Sequence, residues 1–195
     1  MRQVIMIIWI NGPFGVGKTT VSYELHKKLK DSFVYDPENA GEFIWNNSPD
    51  CISRKGDFQD ILMWRDVNYQ MLKYIHENYS GIIIVPMTLV NKEYYSQIIG
   101  RLINEGISIR HYILLAERST LLSRLAARGD SNNSWPAQQM DRCLPSLEKE
   151  IMGIRIKTDN LSIEEVVELI LKKSFECTSH HQGQGDGAKP LKNIL

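Results

Sequence analysis

The chain has no excess of either charge: 23 Lys and Arg balance 23 Asp and Glu over 195 residues. A general nucleic-acid binder needs a basic face to neutralise phosphates, so that class is excluded, a local basic cleft aside. Cysteine is scarce as well. Cys51, Cys143 and Cys177 are odd in number and show no metal-binding spacing, which argues against a disulfide framework and fits a reducing, cytoplasmic setting. No apolar run is long enough to span a bilayer; the N-terminal run, Val4 to Ile10, reads as a core strand rather than a signal peptide. There is no internal repeat. The apolar stretch ending Val85-Pro86-Met87-Thr88 carries no acidic residue, which argues against a motor-type ATPase, and the absence of an N-K-x-D motif argues against a GTPase switch.

What is present is a phosphate-binding loop. Gly12-Pro13-Phe14-Gly15-Val16-Gly17-Lys18-Thr19 satisfies G-x-x-x-x-G-K-[ST], preceded by an apolar run and followed by a helix-forming stretch. The glycines let backbone N–H groups turn inward on a phosphate chain, and the following helix N-terminus adds its positive dipole end. Lys18 is expected to act on the β/γ-phosphates, the Thr19 hydroxyl to ligate Mg²⁺, and Thr20 to lie against the nucleotide. ATP and Mg²⁺ are the expected cofactors.

Strand signals at 3–10, 32–36, 81–87, 107–115 and 153–158 alternate with helix signals at 18–30, 37–46, 58–78, 91–105, 118–128, 136–150 and 162–175. Continuous rather than alternating apolar runs suit parallel strands covered on both faces. The expected fold is a three-layer, doubly wound α/β sandwich with a five-stranded parallel sheet, its ligands at the C-terminal strand ends. One domain, 1–175, is expected, with a polar loop at 46–57 beside the site and a flap or lid at about 129–135. Residues 176–195 read as a disordered tail, whose His180-His181 is either a metal site or solvated chain.

Asp36 ends the second strand signal, where a carboxylate can take the proton of an acceptor hydroxyl; before Pro37 it is also a strong helix cap, and both roles are compatible. Arg124 and Arg128 share one helix face, to bind an adenine ring or phosphates, with Arg128 the candidate finger on the transferring group; a solvated basic face is the alternative, and Arg142 is a weaker candidate. Arg65 is read either as pointing into an acceptor cleft or as pairing with a carboxylate. Thr88 is a substrate contact or loop packing, and Trp135 and Trp45 are stacking platforms or packing. Asp159 and Asn160 suit a turn with adenine contact added, and Ser162 a cap. The last helix signal is apolar on one face; its Lys172-Lys173 allows at most peripheral membrane contact.

Many separate blocks resemble the bacterial tunicamycin-resistance protein family: Ile7-Ile8-Trp9-Ile10-Asn11-Gly12, Phe14-Gly15, Tyr35-Asp36-Pro37-Glu38, Leu62-Met63-Trp64-Arg65, Ile84-Val85-Pro86-Met87-Thr88, Asn133-Ser134-Trp135, Asp141-Arg142-Cys143 and Thr158-Asp159-Asn160-Leu161-Ser162. The resemblance runs in order to about residue 170. It implies kinship with P-loop small-molecule kinases of the shikimate, gluconate and chloramphenicol phosphotransferase types, an adenylate-kinase-like core, ATP binding, and resistance to a nucleoside antibiotic. Resistance would come from phosphorylating the drug or from sequestering it with ATP; a housekeeping nucleoside or nucleotide kinase is the other reading. The resemblance also puts Asp36 at the catalytic carboxylate and Arg124 and Arg128 at the lid arginines of those kinases.

Overall fold

The computed structural model describes residues 6–49, 51–52, 56–131 and 133–175. Its centre is one sheet, built from β1 (Ile7–Asn11), β2 (Ser32–Val34), β3 (Ile82–Pro86), β4 (Ile109–Leu115) and β5 (Ile154–Lys157), in the order β2-β3-β1-β4-β5. All four pairings are parallel. The helices are α1 (Lys18–Lys28), α2 (Glu38–Asn46), α3 (Leu62–Asn78), α4 (Lys92–Tyr95), α5 (Arg101–Asn104), α6 (Arg118–Ala127), α7 (Trp135–Gln138), α8 (Met140–Lys149) and α9 (Ile163–Phe175).

Every residue of β1 and β3 is buried, which is what an uninterrupted apolar run between two helical layers requires. Within that burial the two-residue period decides the face. Ile8, Ile10, Ile84 and Leu114 pack toward α1, α6 and α9. Ile7, Trp9, Ile83 and Val85 pack toward α3 and the α4–α5 segment. Each fully buried Ile or Leu contributes about 1.5–3 kcal/mol of transfer free energy, so the central strands anchor the loops at their C-terminal ends.

Three helix expectations change. The 58–78 stretch is a 3₁₀ turn, Phe58–Asp60, then an extended Ile61 (φ −80°, ψ 117°), then α3. Asp57 accepts from the Gln59 N–H and starts the turn as a separate unit. The 91–105 stretch is α4, a π-helical turn at Ser96–Gly100, and α5. The 136–150 stretch starts one residue earlier and divides into α7 and α8. Strand β2 stops at Val34, so Asp36 stands beyond the sheet rather than on it. The expected tail with His180-His181 lies outside the described residues.

Candidate active site

The phosphate loop leaves β1 at Asn11. Gly17 takes a left-handed conformation (φ 99°) as the cap of α1, a geometry that strains any residue with a Cβ. The loop's first residue is held from both sides. Asn11 Oδ1 accepts from the Gly12 N–H at 2.8 Å, and Thr88 Oγ1 donates to the Gly12 carbonyl at 2.8 Å. Thr88 is buried, so its hydroxyl braces the loop, which matches the packing side of its sequence reading.

Lys18 Nζ donates to the Gly12 and Pro13 carbonyls, both at 3.1 Å, and lies 5.3 Å from the Phe14 ring centre. Burial pushes its pKa down to about 8 and Arg128 pushes the same way, while Glu38, Cys143 and Asp36 oppose them. Lys18 thus lies within electrostatic reach of both Asp36 and Arg128. Asp36 is half-buried and its Oδ1 accepts from the Glu38 N–H at 3.0 Å, at the start of α2. Arg128 caps the C-terminus of α6 and is exposed, next to Gly129. Thr19 is exposed at the start of α1. Thr20 instead lines a groove with Ile163 and Val167, between α1 and α9.

Beside these groups is a cavity of about 460 Å³. Phe14 and Trp135 meet edge-to-face (5.1 Å between ring centres, 70°) on one part of its wall, and Trp45 and Phe58 (5.2 Å, 62°) on another. Glu38, Glu42, Gly56 and Asp57 complete the lining. Burial and the neighbouring Asp36 hold the Glu38 carboxyl above the usual range. The sequence reading placed Trp135 and Trp45 near the site but missed Glu38, Glu42, Asp57 and Phe58 as its walls. The usable signal was the Asp57-Phe58-Gln59 capping pattern, which marks a turn rather than the start of a long helix.

Several other candidates bond to the protein itself. Among the described residues Arg65 is not part of the cavity lining and no carboxylate pairs with it: Nε donates to Gln97 Oε1 at 2.5 Å, NH1 to the Gln59 carbonyl, and the guanidinium stacks 4.2 Å over Tyr94. Its planar fork thus ties α3 to the 3₁₀ turn and the 92–100 segment. Arg124 donates to Thr158 Oγ1 (3.1 Å) and the Thr158 carbonyl (2.9 Å), holding the post-β5 loop against α6. Asp159 accepts from the Glu117 N–H at 2.8 Å, and Asn160 is exposed. Arg142 donates to Asp57 at 3.2 Å. Among the described residues, no group of three or more His, Cys, Asp or Glu side chains is placed to hold a metal, and no helix is long and apolar enough to cross a membrane.

The family model for the AAA domain matches residues 8–152. The solved Deinococcus radiodurans tunicamycin resistance protein is 32% identical, with 88% of this chain and 96% of that chain covered, and a TM-score of 0.75. The chain belongs to the tunicamycin resistance protein family. No curated protein matched the sequence. A gluconokinase from Sinorhizobium meliloti 1021 (15% identity, 92% and 100% covered, TM-score 0.61) shares the fold. So does the Mycobacterium tuberculosis APS kinase solved with AMPPNP and APS (14%, 86% and 95%, 0.56). These neighbours and the family match give this tunicamycin resistance family member a P-loop, kinase-like α/β fold.

Proposed function

We propose that the chain is an ATP:small-molecule phosphotransferase that acts on tunicamycin or a nucleoside- or sugar-like acceptor. The observation that carries this reading is the phosphate loop, whose Lys18 feels the charges of Asp36 and Arg128, next to an aromatic, acid-lined cavity with the loop's own Phe14 in its wall. The cavity suits an uncharged, hydroxyl-bearing acceptor with a flat group to lie on the rings and donors to meet Glu38 and Glu42.

ATP phosphates occupy the Gly12–Thr19 loop, with Lys18 leaving the loop carbonyls for the β/γ-phosphates. Hard oxygen donors, the Thr19 hydroxyl with the phosphates and water, fit Mg²⁺, which neutralises phosphate charge when bound. Asp36 takes the proton of the acceptor hydroxyl as its oxygen bonds the γ-phosphorus and the bond to the β-γ bridging oxygen breaks, releasing ADP. Arg128 balances charge on the transferring group while residues 129–135 close over it. Arg124, Asp159 and Asn160 border the adenine end.

The deciding experiment is mass spectrometry of tunicamycin incubated with the protein, ATP and Mg²⁺, with Lys18→Ala as control. A species heavier by one phosphate, absent from the control, supports the kinase and this acceptor. Unmodified drug alongside demonstrated ATP binding moves the reading to sequestration or to another acceptor.

A further inference from the structure

His111 is a buried titratable side chain that the proposed mechanism does not use. His111 lies on β4, beside β1, and is 7% exposed. Its ring is packed on Tyr95, with centres 5.6 Å apart, and its Nε2 lies 3.2 Å from Asn11 Nδ2. Asn11 is completely buried at the last position of β1, one residue before the phosphate loop.

The Asn11 amide has two acceptor lone pairs and two donor hydrogens. Oδ1 accepts from the N–H groups of Gly12 (2.8 Å) and Leu89 (2.9 Å). One Nδ2 hydrogen goes to the Leu89 carbonyl at 2.8 Å. The other has His111 Nε2 as its partner. Because Nδ2 only donates, Nε2 must accept, which assigns the ring proton to Nδ1. All four capacities are then used, and only one orientation of the amide satisfies them. A half-turn of the amide would set Nδ2 against two N–H donors and Oδ1 against the Leu89 carbonyl.

We propose that His111 is a positioning residue for the phosphate loop: by accepting the remaining Nδ2 hydrogen it completes the bonding of the buried Asn11 amide that holds the Gly12 peptide. It touches no phosphate. It acts through Asn11, while Thr88 holds the carbonyl side of the same glycine. The inference needs only nucleotide binding at this loop, not turnover of any acceptor.

The test is calorimetric titration of the full chain with ATP, with thermal unfolding measured in parallel. His111→Leu keeps an apolar side chain but removes the acceptor, and should weaken ATP binding about tenfold, the scale of one buried hydrogen bond. His111→Gln restores an acceptor and should bind within about threefold of wild type. Tyr95→Leu removes packing on the ring without touching Asn11, and should lower the melting temperature while ATP affinity holds. Wild-type ATP affinity in His111→Leu, or equal losses in the Leu and Gln variants, would overturn the proposal. Should His111→Leu fail to fold, the nitrogen chemical shifts of His111 in the wild-type protein decide: an unprotonated Nε2 at neutral pH supports the clasp, and a protonated one refutes it.

Discussion

Arg142 reaches from α8 to donate to Asp57 at 3.2 Å, and the two side chains differ sharply in exposure: 46% for Arg142, 7% for Asp57. This ion pair joins α8 to the turn that forms one wall of the aromatic cavity. Its Asp57 end also accepts from the Gln59 N–H, so one carboxylate starts the 3₁₀ turn and receives the arginine.

Removing the arginine therefore leaves a buried carboxylate short of a partner. Arg142→Ala should cost about 1–3 kcal/mol, less than a pair buried at both ends because Arg142 is half in water. A urea double-mutant cycle with Asp57→Asn measures the coupling. Additive effects would show that the pair contributes nothing.

Lys18 makes nucleotide binding sensitive to alkaline pH. Its pKa is lowered to about 8, chiefly by burial. Phosphate charge favours the ammonium, so the bound form holds its proton to higher pH. ATP affinity should be unaffected by this group below pH 8 and fall as pH rises through and above it, with proton uptake on binding at about pH 8.5. Calorimetry in two buffers of different ionisation enthalpy reads that uptake directly. The uptake should vanish in Lys18→Arg, whose guanidinium stays charged; its persistence would assign the proton elsewhere.

His111 gives an acid limit to stability. Burial pushes its pKa down to about 4 from 6.5; the Arg155 charge acts in the same direction, and the Met152 backbone opposes both. The unfolded chain binds a proton that the folded one refuses, so stability is untouched above pH 6.5, falls as pH drops toward 4, and changes no further below. The full loss from this group is about 3 kcal/mol. Urea unfolding across this range should show a shallower acid slope for His111→Gln than for wild type, and matching slopes would remove His111 from the effect.

If Asp36 is the base, Asp36→Asn should keep ATP affinity and cut phosphoryl transfer by about 10²–10⁴-fold. Single-turnover assays with saturating ATP separate the two quantities. Transfer at the wild-type rate would take Asp36 out of the chemistry.

Gly41 lets α2 approach the cavity wall. A Cβ there would meet the Phe58 ring at 2.7 Å. Gly41→Ala gains about 1 kcal/mol of helix propensity but meets an overpacking cost of about 1–3 kcal/mol, so Phe58 has to move. The acceptor KM should rise with the ATP KM unchanged. Equal change in both would point to a general loosening of the fold instead.

Legibility followed locality. The phosphate loop spans eight consecutive residues, and its left-handed glycine and helix start depend on neighbours in the chain. The strands were legible for a similar reason, because runs such as Ile82–Val85 are apolar on both faces. Asp36 stands two residues beyond β2, because the strand signal outran the three paired residues of that strand. Arg65 failed because its partners, Gln59, Tyr94 and Gln97, come from three segments whose meeting no window of sequence shows.

Taken alone, the sequence determined the phosphate-loop motif and the parallel α/β layering. Both follow from backbone freedom at glycine and from apolar periodicity within short windows. The tertiary structure decided which polar groups are free and which are consumed. It brought Asn11 to His111 across 100 residues of chain, and Phe14 and Trp135 to the same cavity as Trp45 and Phe58. Hydrogen-bond satisfaction and ring packing depend on which strands lie side by side, and that order, β2-β3-β1-β4-β5, is not the order of the chain.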